Sequence, residues 1–88
     1  MVISIFLLSV LIDFLTCVRS CEDIKNNSQK NTCYLNCVSR NNQKDGNKNN
    51  CNINHISKRI SCNRNSNFGN KSTCLLNAEE ELKSCYKH

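Results

Sequence analysis

Cys51 and Cys62 are separated by ten residues, and Cys74 and Cys85 are separated by ten residues again. Eleven helical steps of about 100° come to roughly three turns, so on helices both members of each pair face the same way, about 16 Å apart along the axis. A disulfide needs Cα atoms within about 7 Å, so neither pair can close on itself within one helix. Two antiparallel helices with equal intervals can instead be joined rung by rung, Cys62 to Cys74 beside the connection and Cys51 to Cys85 at the open end. The expected fold is therefore all-α: a small disulfide-rich helical domain whose antiparallel helical hairpin covers about 51–63 and 72–86, with a preceding helix over about 32–40.

The N-terminus is read as a targeting segment. Val2 to Ile12 is almost wholly apolar, the length of a signal-peptide core and short of the roughly 20 residues that a spanning helix needs. Asp13 interrupts it, and Val18 and Ser20 place small residues where signal peptidase reads, although the segment opens without Lys or Arg. Residues 1–20 are accordingly expected to be a secretory signal peptide and residues 21–88 a single stapled domain, secreted and extracellular.

A chain starting at Cys21 has 68 residues and seven cysteines, a density that belongs to an oxidising compartment. Zinc sites announce themselves by Cys pairs two residues apart or by His at ligand spacing, and the two histidines, His55 and His88, lie far apart, so no metal and no other cofactor is expected. Once the hairpin has used four cysteines, Cys21, Cys33 and Cys37 remain. One of the three has no partner within the chain, which points to an intermolecular bridge and a disulfide-linked homodimer. Cleavage ahead of Cys17 would instead give four bridges in a monomer.

The bridges are needed because the core is thin. Outside cysteine, residues 21–88 offer little beyond Ile24, Tyr34, Leu35, Val38, Ile53, Ile56, Ile60, Phe68, Leu75, Leu76, Ala78, Leu82 and Tyr86. So few larger apolar side chains cannot by burial alone offset the conformational entropy lost when the chain is ordered.

Within the chain, Cys33 with Cys37 and Tyr34 with Val38 are i, i+4 pairs on a helix that Thr32 can cap. Cys33-x3-Cys37 also opens the pattern of the helix-plus-hairpin defensins and scorpion toxins, but the Cys-x-Cys strand pair of that pattern is missing. Asn41 to Asn50 contains no apolar side chain and carries the turn signal Asp45-Gly46. Ile53, Ile56 and Ile60 then form a helical stripe expected to face a partner helix. Arg64 to Lys71 reads as a second loop, and Ser72 or Thr73 caps a last helix carrying Cys74, Ala78, Leu82 and Cys85 on one face. The paired spacing is similar in architecture to the twin Cys-x9-Cys hairpins of the mitochondrial intermembrane space, with ten residues here in place of nine and a secretory N-terminus.

No catalytic constellation is present in the sequence. Nucleophilic catalysis needs a Ser or Cys beside an oriented His, and the cysteines are accounted for as bridges, so the protein is not expected to be an enzyme. Nucleic-acid binding is not expected either, because the basic residues lack interleaved aromatics. From Ile24 to Asn77 there are nine basic residues and one acid, Asp45, a field that attracts anionic surfaces. Lys58, Arg59 and Arg64, with Phe68 and Lys71 nearby, are the expected binding residues, and Asn26 and Asn70 open glycosylation sequons. The function expected on these grounds is that of a secreted basic effector of toxin or salivary type that binds a membrane protein or an anionic cell surface. A membrane-active antimicrobial or cytolytic polypeptide and a non-toxic secreted reproductive, egg or structural protein are the alternatives.

Overall fold

The structure, a computed structural model, describes residues 3–65 and 68–87, and side chains over 8–64 and 70–87. It is all-helical among the described residues: α1 (Ile3–Cys21), α2 (Asn27–Lys44), a single 3-10 turn (Gly46–Lys48), α3 (Asn49–Asn65) and α4 (Phe68–Lys87). Four disulfides staple these helices, and the expected class of small helical disulfide-rich fold is the one observed. The chain forms two compact units, Met1–Asn49 and Asn50–His88. Each unit closes its own bridges. No described helix is long and apolar enough to cross a membrane.

The first unit is a hairpin of α1 and α2. Val10, Leu11, Phe14, Leu15, Val18 and Cys21 are buried on α1 at helical spacing, against Lys30, Tyr34, Cys37, Val38 and Asn41 on α2. The segment read as a signal peptide thus forms half of a packed core in the full chain. The two bridges are Cys17–Cys37 and Cys21–Cys33, antiparallel rungs one helical turn apart. No cysteine is free, so the full chain carries the arrangement with Cys17 included, and the unpaired cysteine and its intermolecular bridge have no counterpart in it.

Polar groups finish this core. Tyr34 Oη donates to Glu22 Oε2, and buried Lys30 Nζ lies 3.8 Å from Glu22 Oε1. Asn41 Nδ2 donates to the Val10 carbonyl at 3.2 Å, a backbone acceptor within the α1 face. Helix α2 begins earlier than the expected Thr32, because the Asn26 side chain accepts from Gln29 N at 3.0 Å and caps it. Thr32 bonds back to Ser28 O inside the helix. The helix ends at Asp45, whose side chain accepts from Asn47 N as the chain turns.

The second unit is a hairpin of α3 and α4, joined by Cys51–Cys85 at the open end and Cys62–Cys74 at the closed end. Both helices run into the stretch read as a loop, α3 to Asn65 and α4 from Phe68. Ala78, Leu82 and Tyr86 form the buried stripe of α4.

Helix α3 does not bury the expected isoleucine stripe. Ile56 is buried, but Ile53 is 44 % exposed and Ile60 is half-buried. The inner face is Asn52, His55, Ile56, Arg59 and Cys62. Cys51 and Cys62 fix the rotation of α3 about its axis through their bridges to α4, and that rotation turns Asn52, His55 and Arg59 inward.

Candidate binding surface

The second unit contains six basic residues, Lys58, Arg59, Arg64, Lys71, Lys83 and Lys87, and three acids, Glu79, Glu80 and Glu81. Each of the three carboxylates is held by a different cation. Arg59 Nη2 bonds Glu79 Oε2 at 2.5 Å, Lys58 Nζ bonds Glu81 Oε1 at 2.6 Å, and Lys83 Nζ bonds Glu80 Oε2 at 3.2 Å. The positive excess of the unit therefore falls on Arg64, Lys71 and Lys87.

These pairs differ in kind. Lys58–Glu81 and Lys83–Glu80 are about half exposed at both ends and contribute little to stability, up to about 1 kcal/mol each. Arg59–Glu79 is internal, with the Arg59 side chain 1 % exposed. Its Nε also donates to His55 Nε2 at 2.8 Å, while His55 Nδ1 meets the Ala78 carbonyl at 3.0 Å. Tyr86 Oη donates to Asn52 Oδ1 at 2.7 Å, so Asn52, His55, Arg59, Glu79 and Tyr86 are all engaged across the α3–α4 hairpin.

The expected binding residues separate accordingly. Arg59 is in the interior and carries no contact surface, because a guanidinium buried between an imidazole and a carboxylate already has its partners. His55 beside it is 2 % exposed. Lys58 and Arg64 are exposed and Lys71 is half-buried. The side chain of Phe68 lies outside the described residues. Arg64 and Lys71 stand within three residues of Cys62 and Cys74, the bridge at the closed end.

Helix electrostatics distinguish the two. Arg64 lies in the last turn of α3, where a cation is favoured. Lys71 lies in the first turn of α4, where the helix dipole disfavours it, and that turn has no acid to offset it. An open groove runs beside the same bridge, lined by Lys58, Ser61, Asn70, Thr73, Asn77 and Glu81 among others. Asn26 and Asn70, the sequon residues, are both exposed.

Sequence reasoning missed the buried polar network. Its trace is present, since Asn52, His55 and Arg59 fall at i, i+3 and i+7, the spacing of an inward face. Polar residues at that spacing are ordinarily assigned to solvent.

The fold and its bridges define a small all-helical protein of two disulfide-stapled hairpins, with a cationic closed end on the second. The chain matches no known protein family, no curated protein and no solved structure.

Proposed function

We propose that the protein is a secreted, basic, cysteine-rich effector of toxin or salivary type that binds a membrane protein or an anionic cell surface. The observation that carries the reading is the charge arrangement of the second unit. Its three carboxylates are all engaged by other cations, which leaves the excess charge on Arg64, Lys71 and Lys87, the first two of them together at the closed end beside a disulfide and an open groove. Lys71 sits where it costs helix stability, which is consistent with retention for contact instead of folding. Four disulfides agree with an extracellular destination.

Processing that keeps Cys17 preserves both rungs of the first hairpin, and this is the mature form we propose. Cleavage after Ser20 would strand Cys37 and uncover Tyr34 and Val38. An intact mass of the secreted protein decides it: the proposed form retains Cys17 and gains two hydrogens for each of four bridges on reduction, and a chain beginning at Cys21 overturns it.

The binding reading is tested by charge reversal at Lys58, Arg64 and Lys71 together, with Arg59 left in place. Binding to target cells, or to vesicles containing anionic lipid, should fall by at least tenfold at physiological salt with the helical spectrum unchanged. Unchanged binding by a folded triple variant sinks the reading.

A second reading, direct membrane attack, is favoured by Leu35, Ile53 and Leu76, which are 58 %, 44 % and 58 % exposed. Dye release from anionic vesicles would support it, and intact vesicles at saturating protein would remove it.

A further inference from the structure

The two hairpins are stapled in different ways. In the second, the bridges are eleven residues apart on each helix, about 16 Å, and their sulfurs cannot meet. In the first, Cys17 and Cys21 lie four apart on α1, and Cys33 and Cys37 lie four apart on α2, so the two bridges stack on adjacent turns. Their sulfurs form one cluster. Cys21 Sγ is 3.8 Å from Cys37 Sγ across the two bridges, and the Sγ atoms of Cys21, Cys33 and Cys37 all lie within 4.8 Å of one another. Cys17 Sγ, bonded to Cys37, is the fourth and stands at the edge of this group of three.

Four thiolates around Zn²⁺ at about 2.3 Å stand about 3.8 Å apart along each edge of the tetrahedron. The distance between Cys21 and Cys37 already has that value. Reduction of both bridges asks that the two bonded pairs separate and that Cys17 Sγ close on the group of three, which side-chain rotation can supply because the four Cα positions are set by two packed helices. Facing Cys-x3-Cys pairs present ligands from adjacent helical turns, a geometry that a search for cysteines two residues apart does not find.

We propose that the first hairpin has a second staple, a tetrahedral Zn²⁺ site formed by Cys17, Cys21, Cys33 and Cys37 when its bridges are reduced. The chemistry balances with two equivalents of a dithiol reductant: each dithiol gives two electrons and two protons to one bridge and becomes its own disulfide. The four thiols then bind one Zn²⁺ and release four protons, leaving a centre of net charge −2. Cys17 and Cys33 are half-buried while Cys21 and Cys37 are buried, so each bridge offers one sulfur to an attacking thiolate. Arg40 lines a small cleft with Cys17 and Cys37, where its positive charge offsets part of that of the thiolate centre, while Lys44 in the same cleft is paired to Asp13 at 2.6 Å. The second hairpin has no equivalent, because its four sulfurs stay two by two at opposite ends. Zinc and disulfides are thus interchangeable staples in one unit only.

The test uses the full 88-residue chain, reduced with a non-thiol phosphine under argon and titrated with Zn²⁺ alone. One equivalent should bind with Kd below about 1 μM. It should protect Cys17, Cys21, Cys33 and Cys37 from alkylation, mapped by peptide mass, while Cys51, Cys62, Cys74 and Cys85 react at the metal-free rate. Co²⁺ in place of Zn²⁺ should give the intense thiolate-to-metal charge-transfer bands of a four-sulfur site, abolished in the Cys21→Ser, Cys33→Ser variant. The Cys51→Ser, Cys85→Ser variant should retain them. Absence of zinc binding, protection spread over all eight cysteines, or bands that survive loss of Cys21 and Cys33 each overturns the proposal.

Discussion

Arg59 donates from Nε to His55 Nε2 across 2.8 Å in the interior of the α3–α4 hairpin. A guanidinium is always a donor, so Nε2 must hold a lone pair, and Nδ1 then carries the proton given to the Ala78 carbonyl. The imidazole is neutral and its tautomer is set. The buried positive charge is answered by Glu79, whose side chain is 12 % exposed. A residue with the character of a contact cation thus serves as an internal tie between helices.

Removing either end of that tie leaves the other charge buried without compensation. Arg59→Ala should destabilise the protein by about 3–5 kcal/mol, whereas Arg59→Met combined with Glu79→Leu should recover most of that loss, because a well-packed apolar pair replaces a desolvated ionic one. Urea unfolding followed by circular dichroism measures both. Equal losses for the single and the double variant would show that Arg59 acts through packing alone.

The isoleucines of α3 separate by burial. Ile56→Ala should cost about 2–4 kcal/mol, since it opens a cavity beside α4, while Ile53→Asp at a 44 % exposed position should change stability by less than about 1 kcal/mol. A large effect of Ile53→Asp on urea unfolding would return that residue to the core.

That contrast shows how far the sequence carries. Equal cysteine intervals imply the second hairpin, because two antiparallel helices are the simplest frame that satisfies both rungs, and Ala78 and Leu82 on α4 are apolar at a clean period. The rotation of α3 is not legible in the same way. An apolar stripe at 53, 56 and 60 competes with the orientation demanded by Cys51 and Cys62, and covalent geometry wins, at the cost of burying Asn52, His55 and Arg59. The first hairpin escapes for a different reason: an apolar N-terminal run ahead of a small-residue site has the pattern of a leader, which separates Cys17 from the cysteines it joins. At the candidate site, the cationic rim could be seen in the sequence, but which cations were already engaged depended on Glu79, Glu80 and Glu81 facing α3 or α4 neighbours.

Two tyrosines each place a hydroxyl on a polar partner, and the partners differ in charge. Tyr34 donates to the Glu22 carboxylate and Tyr86 to the Asn52 amide oxygen. Hydrogen bonds to charged groups are the stronger, so Tyr34→Phe should cost about 2–3 kcal/mol and Tyr86→Phe about 1 kcal/mol. Thermal unfolding of the two variants side by side gives the order. Reversal of that order would mean that the Glu22 carboxylate finds water when the hydroxyl is removed.

The two bridges of the second hairpin should be worth nearly the same, although their sequence separations are 34 and 12 residues. Loop entropy alone favours the outer bridge, about 4 kcal/mol against about 3 kcal/mol. Burial works the other way. Cys62 is 2 % exposed, whereas Cys51 and Cys85 are both half-buried, so replacing the inner bridge by alanines also empties core volume, a further loss of about 1 kcal/mol. The Cys51→Ala, Cys85→Ala and Cys62→Ala, Cys74→Ala variants should therefore unfold in urea within about 1 kcal/mol of each other. A deficit clearly larger for the outer pair would assign the stabilisation to loop closure, and one clearly larger for the inner pair would assign it to packing around Cys62.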